Sequence, residues 1–175
     1  LDFETLDKEK KSNNLLHKCF SKFDISLKVF DLTAGFCKDA CSIANMGFQV
    51  TAYEKESWLF EFNKTCLGPL KKRNLNLINL NSIRALKKVT KKDILFLDPM
   101  FEINSRASAK KEIQFLRKCI STSSEKEIID AAQKSSAGVI IIKRHKLSNS
   151  QNPTKPSYVI KGKVISFEVF DRRAV

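Results

Sequence analysis

The sequence predicts an α/β fold, a mostly parallel sheet with helices packed on its faces and an antiparallel hairpin at the C-terminal end. Three observations predict it. Short apolar runs alternate with segments of helical periodicity, three of those runs end in an acid (Asp31, Glu54, Asp98), and the last two runs follow one another with no room for a helix between them. The chain has 175 residues, 42% of them hydrophobic, which suits one domain with one substantial core. Thirteen Phe against one Trp and two Tyr supply most of the bulky filling.

The elements can be read in order. Residues 1–27 begin polar, with Lys8, Lys10 and Lys11, and then place Leu15, Leu16, Cys19, Phe20 and Phe23 at the spacing of a short amphipathic helix. Lys28-Val29-Phe30-Asp31-Leu32 is a buried strand running into a tight turn at Thr33-Ala34-Gly35. A helix over 39–46 carries Ala40, Ile43 and Ala44 on one face, with Gly47 where a C-terminal cap belongs. Residues 48–54 form the second strand. A helix over 57–66 turns Leu59, Phe62 and Cys66 inward and stops at Gly68-Pro69. Residues 75–80 form the third strand and 82–89 a short helix. The fourth strand, 93–98, is apolar throughout and therefore covered on both faces. Helices near 107–120 and over 125–134 precede the most hydrophobic strand, 138–143. A polar loop over 148–155 leads to the closing strands, 158–160 and 163–170, seven in all.

Charge narrows the partners. Lys and Arg number 32 against 19 Asp and Glu, a formal net charge of +13, and a folded domain this basic is drawn to polyanions, of which nucleic acid is the commonest in a cytosol. The lysines are spread along the chain, which also suits plain solubility. No apolar run is long enough for a membrane span. The five cysteines (Cys19, Cys37, Cys41, Cys66, Cys119) include no Cys-x-x-Cys pair, and neither His17 nor His145 stands at a metal-site spacing from them. This argues against a zinc site and a secreted disulfide scaffold, and for reduced, buried thiols in a cytoplasmic protein without a metal.

In a doubly wound sheet, ligands collect at the carboxyl ends of the strands near the switch point. A carboxylate ending the second strand, Glu54, can accept both hydroxyl hydrogens of a ribose, and the turn at Gly35 lets a cofactor approach the backbone. A second glycine is missing, so a dinucleotide fingerprint is absent. Asp98-Pro99-Met100-Phe101 resembles the Asp/Asn-Pro-Pro-aromatic signature of methyltransferases that act on amino groups. There the acid and a backbone carbonyl aim an amine's lone pair at a methyl carbon, and Phe101 stacks on the base. The plainer reading of the four residues is a strand-end Asp-Pro turn with Phe101 in the core.

The stretch from Val29 to Ala40, then Tyr53-Glu54-Lys55, Leu97 to Phe101 and Ile142-Lys143-Arg144 resemble, in order and spacing, the bacterial 16S ribosomal RNA guanine-N2 methyltransferases of the RsmJ type. The likeness runs from about Asp2 to Phe170. It implies a Rossmann-like class I methyltransferase sandwich over 28–175, preceded by a basic helical segment over 1–27. It also implies S-adenosylmethionine as cofactor, with S-adenosylhomocysteine as product, and ribosomal RNA or the 30S particle as partner.

Carried over by position, the cofactor would be met by Asp31, Ala34, Gly35, Lys38 and Asp39, by Glu54 on the ribose with Lys55, and by Asn81 and Ser82 near the adenine. Asp98 would be shared between cofactor and target, with Pro99 and Phe101 completing the catalytic turn. Lys143 and Arg144, with Lys110 and Lys111 of the following helix, would meet RNA. The family's second turn glycine is Cys37 here, which would set a side chain close to the cofactor path. The family carries a further N-terminal region, so the chain reads as short at that end.

The resulting expectation is methyl transfer to the N2 amino group of a guanine in small-subunit ribosomal RNA. Two readings stay open beside it: an amino methyltransferase acting on adenine or on another RNA or DNA, and a non-catalytic RNA-binding protein with the same fold.

Overall fold

The computed structural model describes residues 15–68, 74–99, 125–146 and 154–173. The helix expected near 107–120, with Lys110 and Lys111, lies outside them, as do Phe101, the lysines at 8, 10 and 11, and Cys119. Within them, seven strands form one sheet: β1 (Lys28–Asp31), β2 (Val50–Glu54), β3 (Leu75–Asn79), β4 (Asp93–Leu97), β5 (Val139–His145), β6 (Tyr158–Lys161) and β7 (Ile165–Asp171), in the order β3-β2-β1-β4-β5-β7-β6. The first five are parallel, and β7 runs antiparallel between β5 and β6. The α/β class and the terminal hairpin read from the sequence are what the structure has. From β1 the chain builds outward to β2 and β3 on one side, and then to β4 and β5 on the other. The switch point therefore falls between β1 and β4, at Asp31 and Asp98.

Side chains alternate across a strand, so each strand serves two layers. One layer joins Val29, Val50, Ala52, Ile94, Phe96, Val139 and Ile141 to the helices α1 (Leu15–Phe20), α2 (Lys38–Asn45) and α3 (Ser57–Leu67). Its centre is a run of rings, with Phe20 against Phe48 at 5.5 Å and against Phe96 at 5.9 Å, and Phe96 against Phe167 at 6.2 Å. The other layer packs Leu95, Leu97, Ile140 and Ile142 against a helix, α4 (Glu125–Lys134), and a short 3-10 helix (Ser82–Lys88). Every residue of β4 is buried, as its apolar run requires. Among the described residues no helix is long and apolar enough to cross a membrane.

One local reading is refined and one changes. The segment after β3 is a 3-10 helix, started by Asn81, whose side-chain oxygen accepts from the Ile83 N–H at 3.1 Å. In α3 the buried positions are Leu59 and Asn63, while Phe62 is 39% exposed and leans on Phe36 at 5.8 Å. Leu59 and Asn63 are four apart and share the inward stripe, which puts Phe62 on its flank. An apolar pattern could not have placed a buried Asn there, because its reason is a bond to the turn after β1.

Candidate active site

Because Val29, Ala52 and Phe96 face the layer of α1 to α3, the period of two sends Asp31, Glu54 and Asp98 toward the same side at the carboxyl tips of β1, β2 and β4. On β5 the same parity follows Val139 and Ile141 and delivers Lys143 to that side. Asp39, in the first turn of α2, closes the group from above, where the helix N-terminus favours a negative charge.

The turn 33–35 ties these tips together. Asp31 Oδ1 accepts from the Thr33 N–H at 3.0 Å, and Thr33 Oγ1 accepts from the Asp98 N–H at 2.7 Å. Two residues on, the Gly35 N–H donates to Glu54 Oε2 at 3.1 Å. A single three-residue turn therefore touches both Glu54 and Asp98, which places the two acids around one site. Gly35 sits at φ +51°, a conformation that glycine adopts without cost. Its carbonyl accepts from Asn63 Nδ2 at 2.6 Å, so the buried Asn of α3 holds the turn from behind. Asn79, ending β3, donates to the Glu54 carbonyl at 2.8 Å and steadies the tip of β2. Thr33, Asn63 and Asn79 were not foreseen, since each acts through a partner at least 25 residues away.

The charges form a short chain. Lys143 Nζ lies 2.7 Å from Asp39 Oδ2 and 2.7 Å from Asp98 Oδ2. Burial alone would pull the Lys143 pKa down, but Asp39 and Asp98 outweigh it and raise it, so the ammonium stays charged. Burial raises the Asp98 carboxyl, Lys143 opposes that, and Asp39 adds to it. The Asp98 side chain keeps 41% of its surface open, with only Oδ2 committed to the lysine. Asp31 is 2% exposed, and burial pushes its carboxyl up to about 8, with the neighbouring Asp39 and Asp98 adding to the shift. It is the floor of the site, where burial favours the protonated form. Burial also raises Glu54, whose Oε1 accepts from the Glu56 N–H at 2.9 Å.

The remaining candidates divide. Ala34 is buried in the turn, its N–H donating to the Tyr53 carbonyl at 3.2 Å, and Pro99 is buried beside Asp98. Ser82 is buried beyond the β3 tip, next to Asn81. Lys38 is half-buried at the start of α2, and Lys55 is exposed, 3.9 Å from Glu56 Oε1. Lys143 and Arg144, expected together on RNA, go to opposite layers. Arg144 is 4% exposed on the far side, with Nε 3.0 Å from Glu168 Oε2. The Cys37 side chain is fully buried in the core, and its backbone sits at φ 57°. That left-handed conformation is the physical reason a glycine suits the position.

The site fits a cationic methyl donor. Asp98 and Asp39 outnumber the Lys143 between them, a balance that suits a cationic ligand. Glu54 Oε2 accepts the Gly35 N–H and Oε1 the Glu56 N–H, and a carboxylate, with about four lone-pair sites, can accept ribose hydroxyls as well.

Residues 4–172 match a family model described as "Putative SAM-dependent methyltransferase". The chain is 28% identical over 174 residues to ribosomal RNA small subunit methyltransferase J of Buchnera aphidicola, covering 92% of this chain and 70% of that protein. To the protein of the same name from Coxiella burnetii it is 28% identical over 151 residues, 81% of this chain and 59% of that one, so the chain spans under two-thirds of the latter's length. A crystal structure of a SAM-dependent methyltransferase from Neisseria gonorrhoeae superimposes with a TM-score of 0.70 at 20% identity, over 99% of this chain and 74% of that chain, and shares the fold.

Proposed function

Because the chain belongs to the family of SAM-dependent methyltransferases, we propose that it methylates the N2 amino group of a guanine in small-subunit ribosomal RNA, with Asp98 presenting the amine. The observation that carries the reading is the half-open Asp98 carboxylate at the switch point, tethered by Lys143 and joined to Glu54 through one turn. The names of the curated relatives support ribosomal RNA as substrate. The guanine and its N2 atom rest on the resemblance of the Asp98-Pro99-Met100-Phe101 turn.

When bound, S-adenosylmethionine supplies an electrophilic methyl carbon on a sulfonium. The residues of the chain do the rest by positioning. Glu54 accepts the ribose hydroxyls, and Asn81 and Ser82 border the adenine. Lys143 holds Asp98 Oδ2, which leaves Oδ1 to accept a hydrogen from the guanine amine and to turn its lone pair toward the methyl. On the resemblance of its motif, Phe101 would stack on the withdrawn base. As the new C–N bond forms, the methyl's bond to the sulfonium sulfur would break to leave a neutral thioether, the nitrogen becomes acidic, and its proton passes to Asp98 or to water.

The test is transfer of labelled methyl to undermodified ribosomal RNA and 30S particles, with the product base identified by mass spectrometry. Asp98→Ala is expected to lower kcat by about 10²- to 10⁴-fold. An active wild type beside an equally active variant sinks the mechanism, and label on adenine moves the target.

A further inference from the structure

The carboxyl end of the sheet carries a feature that methyl transfer itself does not use. β5 pairs with β4 only as far as Leu97 with Ile142, but continues beside β7 through Lys143 with Phe167 and Arg144 with Ser166 to His145 with Ile165. Three residues of strand therefore overhang the floor of the site by about 10 Å, at ~3.3 Å per residue. The chain then holds its course, the Lys146 N–H donating to the Val164 carbonyl at 2.9 Å. β6 ends at the same place, where the Gly162 N–H donates to the Ile165 carbonyl at 2.9 Å in the turn into β7. Topology thus gathers Lys146, Lys161 and Lys163 on one ridge at the carboxyl rim of the sheet, all three exposed, with Lys146 and Lys161 following Arg144's side of the pleat and the ridge starting one strand over from the Asp98 tip.

The ridge is strongly one-signed. From Ala131 to Phe167 the sequence contains no Asp or Glu. Among the described residues no carboxylate pairs with Lys146, Lys161 or Lys163, whereas Lys143 and Arg144, one step inward, are bound to acids of this chain. At ~4.8 Å per strand, the ridge begins within about 15 Å of Asp98, the reach of nucleotides next to a target base.

We propose that this ridge is the surface that holds the phosphate backbone of the substrate RNA. The proposal rests on the reading of the site as an RNA methyltransferase centre, and it locates that enzyme's substrate track. Lysines spaced along a rim neutralise phosphates as point charges and need no bidentate geometry. A membrane surface is the poorer match, since Val164 is the only large apolar side chain beside these lysines with most of its surface exposed, among the described residues, and one Val gives no apolar face to insert. An acidic protein partner would call for a buried aromatic or Arg anchor, and the ridge offers neither.

The test uses the whole chain with Lys146→Gln, Lys161→Gln and Lys163→Gln combined, beside a control with Lys88→Gln, Lys92→Gln and Lys134→Gln, exposed lysines toward the other end of the sheet. Binding of a labelled small-subunit ribosomal RNA fragment is measured across a salt series, together with methyl transfer and calorimetry with S-adenosylhomocysteine. The ridge variant is expected to bind RNA at least tenfold more weakly. Its plot of log K against log salt should be shallower by about 2, at roughly 0.7–0.9 per phosphate contact. KM for RNA should rise while kcat and S-adenosylhomocysteine affinity hold, and the control should match wild type. A wild type that binds and methylates RNA, beside a ridge variant with the same slope, overturns the ridge and leaves the enzyme reading standing. So does a control that weakens as much as the ridge variant, or a ridge variant whose loss appears on anionic vesicles and not on RNA. A wild type that binds S-adenosylhomocysteine but neither binds nor methylates RNA overturns both.

Discussion

Lys143 and Arg144 are neighbours on one strand, both cationic, and the two faces of the sheet use them for different ends. Lys143 enters the layer of α1 to α3 where that layer reaches the open tips of β1 and β4, and it meets Asp39 and Asp98 at 2.7 Å each. Arg144 enters the opposite layer, over Ile140 and Ile142, and is spent on Glu168. The difference teaches that the pleat, and not residue type, decides which cation can take part in chemistry. One charge is poised between two acids at a cleft, and the other neutralises an acid on the closing hairpin.

Substituting each cation by methionine is the most direct way to break the contrast. Lys143→Met leaves Asp98 without its tether and beside Asp39, so kcat should fall by about 10²-fold through misplacement of the carboxylate. The loss has a signature that simple destabilisation lacks. Lys143 is what opposes the upward shift of Asp98, so its removal raises the Asp98 pKa further. The acid limb of the kcat/KM profile should then move to higher pH. An unmoved limb would reduce Lys143 to a packing residue.

The polar end of that first layer also carries a stability cost that the other layer does not. Burial pushes the Asp31 carboxyl up to about 8, from an ordinary value of 3.8. Between those two values the unfolded chain has released a proton that the folded chain keeps. Stability therefore falls as pH rises through the window and levels off above about 8. Asp31→Asn keeps an oxygen for the Thr33 N–H and removes the titration. Its Tm relative to wild type should improve by several degrees between pH 5 and pH 8 in thermal melts. A difference that does not vary with pH would mean that Asp31 is ionised in the fold.

Arg144→Met sharpens the comparison from the other side. It removes the cation 3.0 Å from Glu168, whose side chain is only about a quarter exposed, and should cost about 1–2 kcal/mol in denaturant titrations. Activity per folded molecule should hold within a few-fold. A large loss of kcat with unchanged stability would return Arg144 to the substrate.

How far the sequence reveals this arrangement follows from the range of each interaction. The acids ending β1, β2 and β4 were legible because apolar runs mark buried strands and strand tips hold ligands. The α/β order and the closing hairpin were legible for the same local reasons. The clamp of Lys143 was not, because its partner Asp39 lies 104 residues away, in the first turn of α2. Asn63 was hidden because an apolar pattern predicts only what hydrophobic burial requires. That Lys143 and Arg144 part company was not legible, because neighbours along a strand face opposite sides of the sheet.

Cys37 offers the smallest effect and the finest discrimination. Its φ of 57° costs a non-glycine residue about 1–2 kcal/mol, while its thiol is fully buried in the core. Cys37→Gly removes the strain and also the buried side chain, and adds the backbone entropy that glycine loses on folding, about 0.5–1 kcal/mol. These contributions nearly cancel, so the variant should melt within a few degrees of wild type. Cys37→Ala loses the sulfur and keeps the strain, so it should be less stable than Cys37→Gly even though alanine is the larger residue. Because the thiol faces the core, neither variant should change KM for S-adenosylmethionine more than about twofold. A KM that drops severalfold in the glycine variant alone would mean that the sulfur stands in the cofactor's way, and that the first layer stays polar further back from its tips than its packing implies.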